Sequence, residues 1–254
     1  MNMGLEGKVV VVTGAASGIG AAIAGLLAEE GVGGLLLVDR DGNGARRQAA
    51  ALSVEVAVVQ ADLADTASTA VIAAAASARF GRIDGLVNAA GLTTRGSFVT
   101  GTAAIWDQLF AVNARAGFFL MQAAIADMQA RGAAGAIVNI LSMNAHCGIP
   151  ELAIYAGTKG AMATLTRNAA HAHMADRIRV NGINLGWVAT ESEARMQAQA
   201  NGPDWEAQAA ASLPLGRLVT AEECARLAVF LLGDASVPMS GAIIDFEQKV
   251  AGAL

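Results

Sequence analysis

Only 4% of the 254 residues are aromatic, and a single one of them, Tyr155, is a tyrosine. Cysteine is equally scarce: Cys147 and Cys224 lie far apart and form no CxxC pair, so neither a disulfide framework nor a zinc site is expected. They read as small apolar fillers, with Cys147 a candidate for a pocket wall. There are three histidines. His146 has no second ligand at a useful spacing, and His171 and His173 fall on different faces of a predicted helix, so no metal site is expected. Positive charge is also in short supply, with 17 Lys and Arg against 22 Asp and Glu and a net charge of −5. No basic cluster offsets this, which argues against nucleic acid as a partner. No unbroken apolar run reaches about 18 residues, and the opening "MNMGLEGK" has neither a basic nor an apolar leader segment. A cytoplasmic protein without a membrane partner is the expectation.

What the sequence does have is aliphatic residues and alanine, 54% hydrophobic overall with 15% charged, spread along the whole length. That distribution fits a sheet buried on both faces. Short β-rich runs alternate with helix-compatible stretches. Strands are predicted over 8–14, 34–40, 54–62, up to Asn88, 135–142, 177–186 and 241–246. Helices are predicted from Ile19 to Glu30, over 44–52, Thr66 to Arg79, 102–130, and from before Tyr155 to Ala175. Strands joined by helical crossovers lie parallel. The pattern predicts one α/β domain over 1–254, a Rossmann-like doubly wound parallel sheet of about seven strands. The stretch 187–219 differs in texture, polar and irregular with Trp187, Pro203, Trp205 and Pro214, and reads as a mobile lid.

"TGAASGIG" puts Gly14, Gly18 and Gly20, with Ser17 and Ile19 between them, after the first strand and at the start of a helix. Glycine there lets backbone approach a pyrophosphate whose charge faces the helix N-terminus. The spacing is GxxxGxG, which the general dinucleotide fingerprint matches only loosely. Asp39, at the end of the second strand, is a solvated turn residue or an acceptor for an adenosine ribose diol; with the loop in place, the ribose role is favoured. A carboxylate there repels a 2′-phosphate, so NAD is expected over NADP, with neighbouring Arg40 as the contrary signal. "ADL" ends the third strand, where Asp62 and Leu63 are candidates for the adenine side or for a simple turn. "NAAG", Asn88, Ala89, Ala90 and Gly91, ends the fourth with small residues that admit a cofactor.

Ser142 closes the fifth strand, 13 residues before Tyr155, and Lys159 follows four residues later. Tyr155 and Lys159, at i and i+4, share a helix face. A free phenol, with a pKa near 10, is only about 0.1% ionised at pH 7, and a neighbouring ammonium favours its ionised form. With "TGAASGIG", "NAAG", Asn113, Ser142 and "YAGTK" in this order, the chain resembles the short-chain dehydrogenase/reductase family from about Lys8 to Asp245. The resemblance implies catalytic roles for Asn113, Ser142, Tyr155 and Lys159. Tyr155 is the acid/base, Ser142 orients the substrate oxygen, Lys159 also holds the nicotinamide ribose, and Asn113 supports a water-mediated proton path. It further implies cofactor contacts from Gly186, Val188 and Thr190, and a homotetramer.

Two departures stand out. Leu185 replaces the proline that often precedes Gly186, and "IDFEQKV" replaces the frequent Asp-Gly-Gly, so a different local path is expected for the carboxyl end. Arg95, Asn144, His146, Glu151 and Trp187 are the candidate substrate contacts. Their hydrogen-bonding groups suit a sugar or polyol better than a steroid or fatty chain. An NAD-dependent dehydrogenase of a small polar alcohol is the leading reading. An NADPH-dependent ketoreductase and a catalytically silent nucleotide sensor are the alternatives.

Overall fold

The computed structural model describes residues 2–251. Its centre is a seven-stranded sheet formed by β1 (Val9–Thr13), β2 (Gly34–Asp39), β3 (Val56–Gln60), β4 (Gly85–Asn88), β5 (Gly135–Ser142), β6 (Ile178–Leu185) and a C-terminal strand, Ile243–Phe246. The spatial order is β3-β2-β1-β4-β5-β6 and then the C-terminal strand, with every pairing parallel. Runs such as "VVVVT" and "GLLLV" are wholly buried, as strands covered on both faces must be.

The order reverses between β1 and β4. Chains leaving the carboxyl ends of these two strands diverge, which opens a crevice at the sheet's C-terminal edge. One face is covered by α1 (Gly18–Glu29), α2 (Gly42–Ala51) and a late helix, Ala221–Leu232, around a core that includes Ile23, Leu27, Leu35 and Val229. The other is covered by α3 (Ser68–Phe80), α5 (Ala116–Ala130) and α6 (Ala153–His173), around Ile72, Leu86, Met128 and Ile137.

The predicted helix over 102–130 is continuous but not uniform. It runs as α4 (Ala103–Phe110), a π-helical turn (Ala111–Arg115) and α5. Thr102 caps it by accepting from the Ile105 N–H at 3.3 Å. By length and mean hydropathy this helix could cross a membrane, but 56% of its most apolar window is buried, and it packs into the domain as a core helix. Asp107, Gln108, Asn113 and Arg115 break its apolar runs, which is why the sequence held no signal of that kind. At the opposite, N-terminal edge of the sheet, buried Asp84 accepts from the Val9 N–H (2.9 Å) and from Arg82 Nε (2.7 Å), with Arg131 Nη2 3.3 Å away.

The stretch expected to be irregular, 187–219, is ordered differently. Short strand β7 (Val188–Ala189) leads into α7 (Glu191–Asn201), α8 (Trp205–Ala211) and β8 (Val219–Thr220), which pairs parallel with β7. Trp205, Ala209 and Leu218 are buried together with Trp187 against them, the two indole rings 5.9 Å apart. Polar helices with little apolar content, such as "ESEARMQAQAN", have a weak periodic signal, so the sequence reading missed them. With β7 and β8 counted, the late helix becomes α9 and the C-terminal strand β9.

Candidate active site

The crevice is built first by glycine. Gly14 and Gly18 have φ of +68° and +57°, a region that L side chains rarely adopt. A Cβ on Gly20 would lie 2.2 Å from the Gly14 carbonyl oxygen, so glycine also lets α1 start hard against the turn. Ser17 is the N-cap of α1, yet its side chain makes no capping bond, and the first turn holds no acid. The first-turn N–H groups are thus not capped by the Ser17 side chain, which suits a pyrophosphate. Asp39 is fixed at the mouth of the loop: Oδ2 accepts from Ala16 N–H (3.0 Å) and Oδ1 from Asp41 N–H (2.9 Å). Arg40 beside it is exposed. The residues present therefore fit a dinucleotide, with a fixed carboxylate at the mouth of the glycine loop.

Behind the loop, Thr13 Oγ1 accepts from Ala89 and Ala90 N–H at 3.1 and 3.2 Å and so shapes the chain leaving β4. Asn88, by contrast, turns inward, donating to Asn139 Oδ1 at 2.8 Å, so only its backbone borders the crevice. Asp62 is exposed, with Oδ1 accepting from Ala64 N–H in a local turn, while Leu63 is buried below it. On the far side, Gly18 faces the Thr190 side chain. The Gly186 N–H donates to Phe246 O at 3.1 Å, and the Glu247 carboxylate lies against the Gly186 α-carbon. The "IDFE" end is thus tied to the turn after β6.

The four residues expected to be catalytic converge. Ser142 is the last residue of β5, Tyr155 and Lys159 are on the first turns of α6, and Asn113 is in the π turn, a distortion frequent at functional sites. All four side chains are buried, between 5 and 7% exposed. A Cβ on Gly91 would sit 3.6 Å from both Asn113 Oδ1 and Lys159 Nζ, so the "NAAG" strip meets this set directly. Lys159 Nζ donates to Ile140 O at 2.8 Å and lies 5.7 Å from the centre of the Tyr155 ring. Burial lowers the ammonium to a pKa of about 8. The phenol behaves differently from the sequence expectation. Burial raises it above its ordinary value, the hydrogen bond with Ser142 lowers it, and the Glu193 carboxylate raises it further. The protein's own groups therefore hold Tyr155 protonated.

Asn113 spends its whole amide on structure. Oδ1 accepts from Leu92 N–H, and Nδ2 donates to Leu92 O and Thr158 Oγ1, all within 2.8 to 3.1 Å. Its side chain clamps the loop after β4 to α6.

The candidate substrate residues scatter. Arg95 and Glu151 are exposed on adjoining segments zipped by Gly96 N–H to Glu151 O (2.8 Å) and Ile154 N–H to Gly96 O (3.1 Å). Asn144 bonds to Ser142 and to the Ile149 backbone. His146 Nε2 lies 2.9 and 3.0 Å from the two Asp245 oxygens. Burial raises the Asp245 carboxyl, but the bonds from Asn184 and His146 outweigh it and hold the group below its usual range. Trp187 donates its only N–H to Glu193 Oε1 at 2.8 Å. Glu193 itself escaped the sequence reading; with α7 unrecognised, nothing marked which side chain of 191–201 turns inward.

Residues 14–247 match the profile of the family described as Enoyl-(Acyl carrier protein) reductase. A 2-(S)-hydroxypropyl-CoM dehydrogenase of Xanthobacter autotrophicus is 37% identical over 246 residues, 95% of this chain and 96% of that one. A D-threitol dehydrogenase of Mycolicibacterium smegmatis is 36% identical over 94% of this chain and 90% of its own. Among solved structures, L-sorbose reductase of Gluconobacter frateurii, complexed with NADPH and L-sorbose, covers 100% of both chains with a TM-score of 0.92 at 30% identity.

Proposed function

This chain belongs to the short-chain dehydrogenase/reductase family and is an oxidoreductase of it; from that premise we propose that it moves a hydride between NAD and the carbinol carbon of a small polyol or sugar. The observation that carries this reading is the convergence of Ser142, Tyr155 and Lys159 at the Gly91 strip. Bound at the crevice, the nicotinamide supplies the hydride acceptor in oxidation and the donor in reduction. Gly14 to Gly20 and the α1 N-terminus hold the pyrophosphate, with Asp39 on the ribose, and Val188 and Thr190 border the nicotinamide end.

In the reductive direction the buried, protonated Tyr155 is ready to protonate a carbonyl oxygen. In the oxidative direction it must first lose its proton, which the Lys159 ammonium and any further positive charge beside it favour. Ser142 donates to the oxygen on which negative charge develops. Segment 187–219 covers the site and excludes water, with Trp187 packed inside it rather than reaching for substrate. Arg95 and Glu151 at the rim supply polar contacts, in keeping with a relative named as a threitol dehydrogenase.

The immobilised Asp39 supports NAD. Exposed Arg40 and the NADPH of the L-sorbose reductase complex favour a second reading, an NADPH-dependent ketoreductase. Exposed Phe118 and Phe119 line a groove of about 640 Å³ on the outer face of α4, α5 and α6, with exposed Trp106 stacked on its Phe110, and this face supports assembly with further copies of the chain as a homotetramer. A panel of short polyols with NAD or NADP, and of their ketoses with the reduced cofactors, tests the function through the near-ultraviolet absorbance of reduced nicotinamide. Polyol-dependent formation of NADH is expected. Turnover confined to NADPH and ketones selects the second reading, and binding of nucleotide without turnover of any alcohol or ketone refutes both.

A further inference from the structure

The loop after β5 carries an arrangement that the proposed reaction does not yet use. A serine hydroxyl has one proton and two acceptor positions. Ser142 Oγ accepts from the Asn144 backbone N–H at 3.2 Å and from Asn144 Nδ2 at 3.1 Å. Both acceptor positions are thereby filled by one residue. The hydroxyl keeps only its proton to offer, in keeping with Ser142 acting to lower the Tyr155 phenol rather than raise it.

Asn144 is itself held. Its Oδ1 accepts from the Ile149 N–H at 3.1 Å, which fixes which end of the amide faces Ser142. Two residues on, His146 is clasped by Asp245 of β9, whose Oδ1 also accepts from Asn184 Nδ2 at 2.8 Å. The loop is therefore anchored at Ser142, at Ile149 and to the neighbouring strand. The charged groups around the phenol are Lys159 on α6 and Glu193 on α7; of the loop's own titratable side chains, His146 points to Asp245, and Cys147 and Glu151 are exposed.

We infer that Asn144 is a positioning residue of this site, making Ser142 a one-way donor aimed at the oxygen that lies between Ser142 and Tyr155. This rests on the reading of Ser142 and Tyr155 given above. Without the Asn144 side chain, Ser142 regains a free acceptor position and can turn to accept from Tyr155. It then no longer supports the phenolate or the developing oxygen charge.

The test is a double-mutant cycle on alcohol oxidation. Asn144→Ala removes the whole amide. Asn144→Asp keeps an acceptor for the Ile149 N–H but loses the donor, so the loop is retained if the alanine variant disorders it. Both variants are expected to lower kcat about tenfold with little change in KM, and to move the rising limb of the oxidation pH profile upward. The uncharged alanine variant separates the lost donor from the added carboxylate. In a Ser142→Ala background, Asn144→Ala should cost nothing more. Losses that multiply in the double variant, or single variants within about twofold of the parent, overturn the inference while leaving the site reading intact. Full activity in Ser142→Ala alone overturns the site reading and this inference with it.

Discussion

Replacing Lys159 by methionine separates what the residue contributes to chemistry from what it contributes to folding. The drop of its pKa from 10.5 to about 8 corresponds to a cost of about 3 kcal/mol for burying the ammonium. Methionine, of similar length, removes that cost. It also removes the charged bond to Ile140 O, worth about 1.5–3 kcal/mol, and leaves that carbonyl unpaired. The two effects nearly cancel, so the variant should melt within about 8 °C of the parent. Chemistry has no such compensation. A unit charge 5.7 Å from the ring, at an effective dielectric of about 20, favours the phenolate by about 3 kcal/mol, or about two pH units. Alcohol oxidation at a fixed pH below about 8, where the ammonium is charged, should fall about 100-fold, and the gap between parent and variant should narrow as pH rises past that value and alter the shape of the pH profile. The stability difference has its own pH signature. Since the ammonium titrates lower in the folded state, its cost is fully present below about pH 8 and is relieved as pH rises towards 10.5. The parent should therefore gain on the variant across that window. Thermal melts and steady-state rates over pH measure both quantities. A large loss of stability with an unshifted pH profile would refute the reasoning, because Lys159 would then be a packing residue only.

Three further outcomes follow from the same geometry. Glu193→Gln removes a carboxylate that raises the Tyr155 phenol, so the rising limb of oxidation should move to lower pH; an upward shift would contradict the electrostatic account. Asp39→Ala should weaken NAD binding by about tenfold and narrow the preference over NADP, as measured by titration of each cofactor; an unchanged ratio counts against the ribose assignment. Asp84→Ala leaves the buried Val9 N–H without its acceptor and removes the carboxylate that Arg82 Nε donates to, and should cost about 3 kcal/mol in denaturant unfolding without altering KM.

Much of this was legible in the sequence because parallel strands buried on both faces, such as "VVVVT" and "GLLLV", are continuous apolar runs, and glycines punctuate their ends. The i, i+4 spacing of Tyr155 and Lys159 and the place of Ser142 at a strand end likewise follow from local periodicity. The remainder depends on where side chains turn after folding. Nothing local says that the Asn113 amide is wholly engaged by Leu92 and Thr158, or that His146 reaches a carboxylate 99 residues away. The direction of the phenol's pKa was misjudged for a similar reason. The sequence shows the helpful lysine four residues along, but neither the burial of Tyr155 nor the Glu193 carboxylate carried in by α7. The polar helices α7 and α8 were unreadable because their apolar partners, Trp187 and Leu218, lie outside them in sequence.

The central claim is that Tyr155 is the proton-transfer group of a nicotinamide-dependent oxidoreductase. Its most direct test compares Tyr155→Phe with the parent in polyol-dependent formation of NADH, with NAD affinity measured in parallel by titration. A loss of at least about 100-fold in kcat with NAD affinity retained is the predicted result. Activity within about tenfold of the parent would contradict it.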